Sequence, residues 1–129
     1  MTSLAMTALV VPEYDPAIAF YRDVLGLSLI EDSDLGGGKR WVVLGGPDGG
    51  RLLLARATNA AQHAAIGRQA GGRVGWFLDS EDFAADHARM ISHGVEFTDG
   101  PRQEPYGTVA VFTDPYGNRW DIIERRKAA

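Results

Sequence analysis

The stretch TDPYGNRWDII, Thr113 to Ile123, decides the fold, because the chain has already used its pattern once: GGPDGGRLLL, Gly45 to Leu54, places Pro47, Gly49 and Arg51 where the later stretch places Pro115, Gly117 and Arg119. The step between the two copies is 68 residues at each of these positions, and the same step carries Glu13 to Glu81, Ala17 to Ala85, Gly26 to Gly94 and Val43 to Val111. A fixed internal step of this kind marks one supersecondary unit used twice. It also pairs positions, so that a residue at a functional place in one copy predicts its counterpart in the other.

Outward from the repeat, the first module spans about residues 4–56. Leu4 to Val11 is an apolar strand broken by Pro12. Asp15-Pro16 reads as a helix start, with the Asp carboxylate accepting an orphan N–H and proline at the first helical position. Ala17, Phe20, Tyr21, Val24 and Leu25 form one apolar stripe, which Gly26 ends in a left-handed cap. Leu27 to Glu31 is a strand, Asp32 to Gly38 a polar connection, and Lys39–Leu44 with Arg51–Arg56 a hairpin closed through the glycine-rich turn. The order is βαβββ.

The second module, about residues 73–126, repeats that order: strand Arg73–Leu78, a helix capped by Ser80 or Asp82 and ended at Gly94, then strands Val95–Thr98, Thr108–Thr113 and Arg119–Glu124. Between the modules, residues 57–72 form a linker, with an alanine-rich helix capped by Asn59 and a hinge at Gly71 and Gly72. The whole chain, 1–129, is expected to form one α+β domain.

Composition narrows the function. A chain of 129 residues with 45% hydrophobic content can build one real core. A net charge of -4 offers no basic stripe to nucleic acid or anionic lipid. With no cysteine there is no disulfide, thiolate metal site or cysteine nucleophile. No apolar run approaches the roughly 18 residues of a membrane span, and the N-terminus has no basic signal region. The expectation is a soluble cytoplasmic protein. The glycine runs lack the spacing of a phosphate loop, and no nucleophile elbow occurs.

The tandem βαβββ order, AIAFYRDVLGL in the first helix and TDPYGNRWDIIE at the last hairpin together resemble the vicinal oxygen chelate superfamily, which contains glyoxalase I, bleomycin-resistance proteins and extradiol dioxygenases. The resemblance covers nearly the whole chain. It implies mixed sheets curled around a shared concave pocket with helices on the outer faces, often completed by a homodimer. In the family's enzymes a divalent cation is held by His, Glu or Gln from the first and last strand of each module. Laid on this sequence, those places fall at Met6, Leu53, Val74 and Asp121, and the 68-residue step independently pairs Met6 with Val74 and Leu53 with Asp121. Sliding any strand by one residue brings in no carboxylate or imidazole at these places. One aspartate among aliphatic neighbours does not make a site for a hard cation, so no metal ligands and no cofactor are expected. His87 and His93 read as exposed or cap-associated residues of the second helix; His63, in the linker, could reach into the pocket, but one imidazole with Asp121 still makes only two ligands.

What remains is an apolar pocket. Alternation puts Ala8, Val10, Trp76, Leu78, Arg119 and Ile123 on the same strand faces as the four positions above. Trp76 is placed either to stack on a flat ligand or to fill the core. Asp121 interrupts an apolar strand; desolvation would raise its pKa and a neighbouring Arg119 would lower it, making it a candidate acid or base, a ligand counter-ion, or half of a structural ion pair. Pro101 to Phe112 reads as a stiff loop presenting Arg102, Glu104 and Tyr106. The leading expectation is a metal-free binder of a small organic molecule. The alternative is a lyase, isomerase or dioxygenase, with either a metal site elsewhere or proton transfer by Asp121, Glu104 or Tyr106.

Overall fold

The computed structural model describes residues 1–127 and divides into two compact units, Met1–Ile66 and Gly67–Ala129. The first contains β1 (Thr7–Val11), α1 (Tyr14–Ile18) running on as a π-helical turn (Ala19–Val24), β2 (Ser28–Gly36), β3 (Lys39–Gly45), β4 (Arg51–Arg56) and α2 (Ala60–Ala65). The second contains β5 (Val74–Asp79), α3 (Phe83–Ser92), β6 (Phe97–Glu104), β7 (Gly107–Thr113) and β8 (Arg119–Arg125). Each builds a four-stranded mixed sheet of the same topology, β1-β4-β3-β2 and β5-β8-β7-β6, with the two strands named first in parallel and the others antiparallel. These are the tandem βαβββ modules that the repeat predicts.

In each unit the helix covers one sheet face, and the alternation of the strands decides what lies there. Leu9, Val11, Val42, Leu44, Leu52 and Leu54 are buried on the first sheet with Ala17, Ile18 and Tyr21 of the helix. Full burial of an aliphatic side chain contributes about 1.5–3 kcal/mol, so this layer holds the unit together. In the second unit the covered face is aromatic: Phe83 stacks on His87 and Phe112 on Trp120, while the His87–Phe97 and Phe97–Phe112 pairs that join them are tilted, with successive ring centroids 4.5–6.1 Å apart. His87 therefore belongs to an aromatic stack, while His93 caps the end of α3, its Nδ1 2.9 Å from the Arg89 carbonyl.

Several local readings are corrected. The helix begins one residue before Asp15: Glu13 stands at the N-cap without a side-chain bond, and Asp15 instead holds Arg40 at 2.8 Å. Pro16 is tolerated because it still lies in the first turn, whose N–H groups have no intrahelical partner. The polar run Asp32–Gly36 is the continuation of β2, an edge strand whose outward groups are solvated while its backbone pairs with β3. Likewise Pro101 to Glu104 is not a loop but the second half of β6. An edge strand accommodates proline, and shifts of register between Phe97 and Asp99 and between Asp99 and Arg102 leave Gly100-Pro101 outside the ladder.

The repeat itself holds two single-residue insertions. Leu53 pairs with Ala8, whereas Asp121 pairs with Phe77, because the β5–β8 register shifts between Val74 and Trp76 and Gly75 is bulged out. Beyond the bulge the equivalence step becomes 69 residues, and α3 starts at Phe83 where α1 starts at Tyr14. The step returns to 68 at the helix-ending glycines Gly26 and Gly94, with φ of 84° and 81°, because the first helix takes up one residue in its π turn. The N-caps Glu13 and Asp82 are thus equivalent, not Glu13 and Glu81.

Candidate functional site

Asp121 lies on the face of the second sheet that α3 does not cover, between Trp120 and Ile122, which are 3% and 2% exposed on the other face. Strand pairing lines up Phe77, Asp121, Val111 and Asp99 across the sheet, and Asp79, Ile123, Val109 and Arg102 in the next row. Oδ1 of Asp121 is buried and has no hydrogen-bond partner among the described residues. Burial raises the Asp121 pKa; the Arg102 guanidinium opposes that, Asp99 adds to it, and a backbone hydrogen bond with Ile122 opposes it. The cation acting on Asp121 is therefore Arg102, not Arg119, which donates a 3.1 Å bond to the Gly72 carbonyl instead.

Arg102 links this row to Glu104: its Nη1 is 3.3 Å from Asp99 and its Nε 3.7 Å from Glu104. Glu104 itself pairs with Gly107, four residues along β7 from the partner of Asp121, a displacement of about 13 Å at the strand rise. Tyr106 is in the turn beyond and is 56% exposed. Glu104 and Tyr106 thus belong to the end of the β6–β7 hairpin, and neither is an immediate neighbour of Asp121.

Trp76 is also placed differently from expectation. The Gly75 bulge pairs it with Trp120, and the two indoles stack with centroids 5.8 Å apart at 25°. Leu78 pairs with Ile122 on that same face, while Val74 stays on the Asp121 side as the partner of Arg119. The large apolar side chain that shares the Asp121 face is Phe77, 67% exposed. Phe77 and Asp99 were not legible as site residues. The only available signal was Gly75, since a glycine inside a strand commonly marks a bulge.

The first unit supplies a cavity of about 410 Å³ at the end of β4 and the start of β3. Val10, Trp41, Leu53, Leu54 and Ala55 form its apolar wall, and Tyr14, Arg40, Arg56 and Gln62 its polar one. Strand pairing confirms that Leu53 shares a face with Ala8 and Val43. Ala8 is exposed there, and Met6, half-buried, precedes β1. The Tyr14 ring lies 5.2 Å from the Arg40 guanidinium and 5.9 Å from that of Arg56, and its hydroxyl accepts the Arg40 backbone N–H.

The hairpin motif that is most distinctive in the sequence has a structural task. Asp114, 4% exposed, accepts the N–H groups of Tyr116 and Asn118 through Oδ1, and the Asn118 amide and Trp120 indole N–H through Oδ2, all at 2.9–3.0 Å. A buried carboxylate with four donors fixes the turn and the Trp120 ring. It leaves no oxygen free for a ligand.

Tandem βαβββ units, the first with a pocket on its sheet and the second with a half-buried acid, Asp121, on its uncovered face, define a class in which many chemistries share one scaffold. The model of the Glyoxalase/Bleomycin resistance protein/Dioxygenase superfamily matches residues 3–122, and the chain belongs to that superfamily. It is 50% identical to an uncharacterized protein of Shewanella frigidimarina over 95% of this chain and 93% of that one. Among solved structures it is similar to TnmS3, an antibiotic binding protein from Streptomyces sp. CB03234, at 28% identity and a TM-score of 0.69, covering 98% and 99% of the two chains. A glyoxalase family protein from Bacillus cereus shares the fold at a TM-score of 0.76 and 21% identity, covering 98% and 96%.

The donor set at the superfamily's cation positions can be tested on chemistry alone. Met6 and Leu53 in the first unit offer no oxygen or nitrogen donor, and Val74 and Asp121 in the second offer one carboxylate. Among the described residues, no three His, Cys, Asp or Glu side chains come together to hold an ion. A hard divalent cation takes about six oxygen or nitrogen ligands, several of them from protein, and these residues do not fit one. No helix is long and apolar enough to cross a membrane among the described residues.

Proposed function

We propose that this protein binds a small organic molecule without a metal ion, in the apolar cavity of its first unit, as a homodimer in the cytoplasm. The observation that carries the reading is the cavity of about 410 Å³ with Val10, Trp41, Leu53 and Ala55 on its wall. That volume is in the range of ligand pockets, which combine apolar walls with a few orienting polar groups. The aliphatic residues at three of the four cation positions support the metal-free part, the similarity to an antibiotic binding protein supports a binding role, and the family resemblance and absence of cysteine support the assembly and compartment. Calorimetric titration with flat apolar probes tests it. One site per chain, ligand recovered unchanged, and loss of binding in Ala55→Trp are expected; binding unaffected by Ala55→Trp, or conversion of the ligand, would reject it. Sedimentation showing only monomer would remove the dimer.

A second reading has its own observation. The buried, unpartnered Oδ1 of Asp121 and its raised pKa suit a proton-transfer group. Asp121→Asn would then abolish turnover. In a binding protein of an uncharged ligand it would leave affinity within about tenfold, roughly 1.4 kcal/mol.

A further inference from the structure

The wall of the first unit's cavity carries charge of one sign only. Lys39, Arg40 and Arg56 line it and no aspartate or glutamate does, in a protein whose formal charge is -4. The two arginines are not equivalent. Arg40 is already neutralised: its Nε and Nη2 lie 3.1 and 2.7 Å from the Asp32 carboxylate, and its Nη1 lies 2.8 Å from Asp15. Arg56 forms no ion pair among the described residues. Its Nη2 donates to the Gly38 carbonyl at 3.3 Å, and its Nε is buried with no partner. A guanidinium has five N–H donors in a rigid fork, so most of this one is unsatisfied by the protein. The neighbouring Tyr14 ring, 5.9 Å away, helps to fix its position.

A second donor stands on the same wall. The Oε1 of Gln62 accepts the backbone N–H of Thr58 at 2.7 Å and its hydroxyl at 3.0 Å. Because a backbone N–H can only donate, the amide oxygen of Gln62 must point to Thr58, which leaves the amide NH₂ to donate elsewhere. β3 and β4 pair only as far as Val42–Leu54, so beyond it the cavity opens between them and is lined from both strand faces: it offers donors from Arg56 and Gln62 across from the apolar surface of Trp41, Leu53 and Ala55, with no carboxylate on its lining to compete for them.

We infer that the ligand of this cavity is an organic carboxylate with a flat apolar body: the carboxylate is held by Arg56 with Gln62, and the body lies on Trp41, Leu53 and Ala55. This rests on the reading that the first unit binds a small molecule. The planar fork of arginine matches a carboxylate with two parallel hydrogen bonds, which a lysine ammonium does not reproduce. An uncharged ligand would leave the Arg56 donors unpaired, and a cationic one would face Lys39 and Arg56, neither of which has an ion-pair partner among the described residues.

Isothermal titration of the full chain with 2-naphthoate, 2-naphthamide and 2-naphthylmethylammonium separates the possibilities. The expected result is 2-naphthoate bound at least tenfold more tightly than the amide, with the ammonium compound weakest. Arg56→Gln should bring 2-naphthoate to the level of the amide without changing the amide, and Arg56→Lys should restore only part of the difference. Should Arg56→Gln fail to fold, Gln62→Ala gives the second arm, with a several-fold loss for the carboxylate alone. Equal affinities for all three probes, or tighter binding of the ammonium compound, overturn the inference while the binding reading stands. No binding of any probe overturns both.

Discussion

Asp114→Ala removes the acceptor from four donors at once: the N–H groups of Tyr116 and Asn118, the Asn118 amide and the Trp120 indole. Three of these bonds are buried, and a buried donor left unpaired costs about 1–3 kcal/mol. The four share one side chain and are not additive, and the opened turn admits water to part of the set. A loss of about 3–5 kcal/mol follows from these terms. Against a total of roughly 5–15 kcal/mol for a domain, that is a large fraction, and at about 3–5 °C per kcal/mol for a chain of this size it lowers Tm by roughly 10–20 °C. Asp114→Asn retains an oxygen for the two backbone donors but turns an NH₂ toward Asn118 and Trp120, and should lose about half as much. Urea unfolding followed by tryptophan fluorescence, with thermal melting by circular dichroism, gives both values. A loss below about 1 kcal/mol for Asp114→Ala, within the range of an ordinary surface change, would refute the structural role assigned to the motif.

Two further outcomes follow from the second sheet. Asp121 has its folded-state pKa raised, chiefly by burial, so between its unfolded and folded values the folded state binds more protons. Its contribution to stability is full below the unfolded value near the ordinary carboxylate range and is lost as pH rises through the folded one. Melting curves from acid to neutral pH should show that decline in the parent and not in Asp121→Asn; parallel profiles would exclude it. Gly100 has φ of +82°, and a Cβ there would stand 2.7 Å from the Val109 carbonyl oxygen, whereas at Gly49, with φ of +86°, nothing lies within 4 Å. Gly49→Ala should therefore cost only the left-handed penalty of about 1 kcal/mol, and Gly100→Ala clearly more. Equal losses in denaturant titrations would contradict the bulge that positions Arg102.

The architecture was legible because its signals are many and redundant. Gly26 and Gly94 both adopt the left-handed conformation at helix ends, β4 spans Arg51–Arg56 as its apolar run indicates, and Asn59 and Asp82 both cap helices. Single-residue insertions were not legible. The Gly75 bulge has one glycine as its signal and the π turn of Ala19–Val24 has none, yet the bulge decides that Phe77 and not Trp76 accompanies Asp121. Asp121 stood out because a lone acid in an apolar strand is conspicuous in any register. Its neighbours Arg102 and Asp99 did not, since they come from an edge strand whose pairing slips twice. Arg56 was hidden for another reason: at the end of an apolar strand it looks like an ordinary solvated terminus, and only the Asp32 and Asp15 contacts of Arg40 show that, of the two arginines on the cavity, Arg56 is the one left without an anion.

The proposal that this protein works without a metal rests on the donor set: Met6 and Leu53 in the first unit and Val74 in the second offer no ligand, and Asp121 offers one carboxylate. Elemental analysis of protein purified without chelator, with Zn, Ni, Fe and Mn measured per chain, decides it. Well below about a tenth of an equivalent of any of them is expected after dialysis against metal-free buffer, because one carboxylate retains no divalent ion against dilution. One tightly held equivalent of a single metal would contradict it.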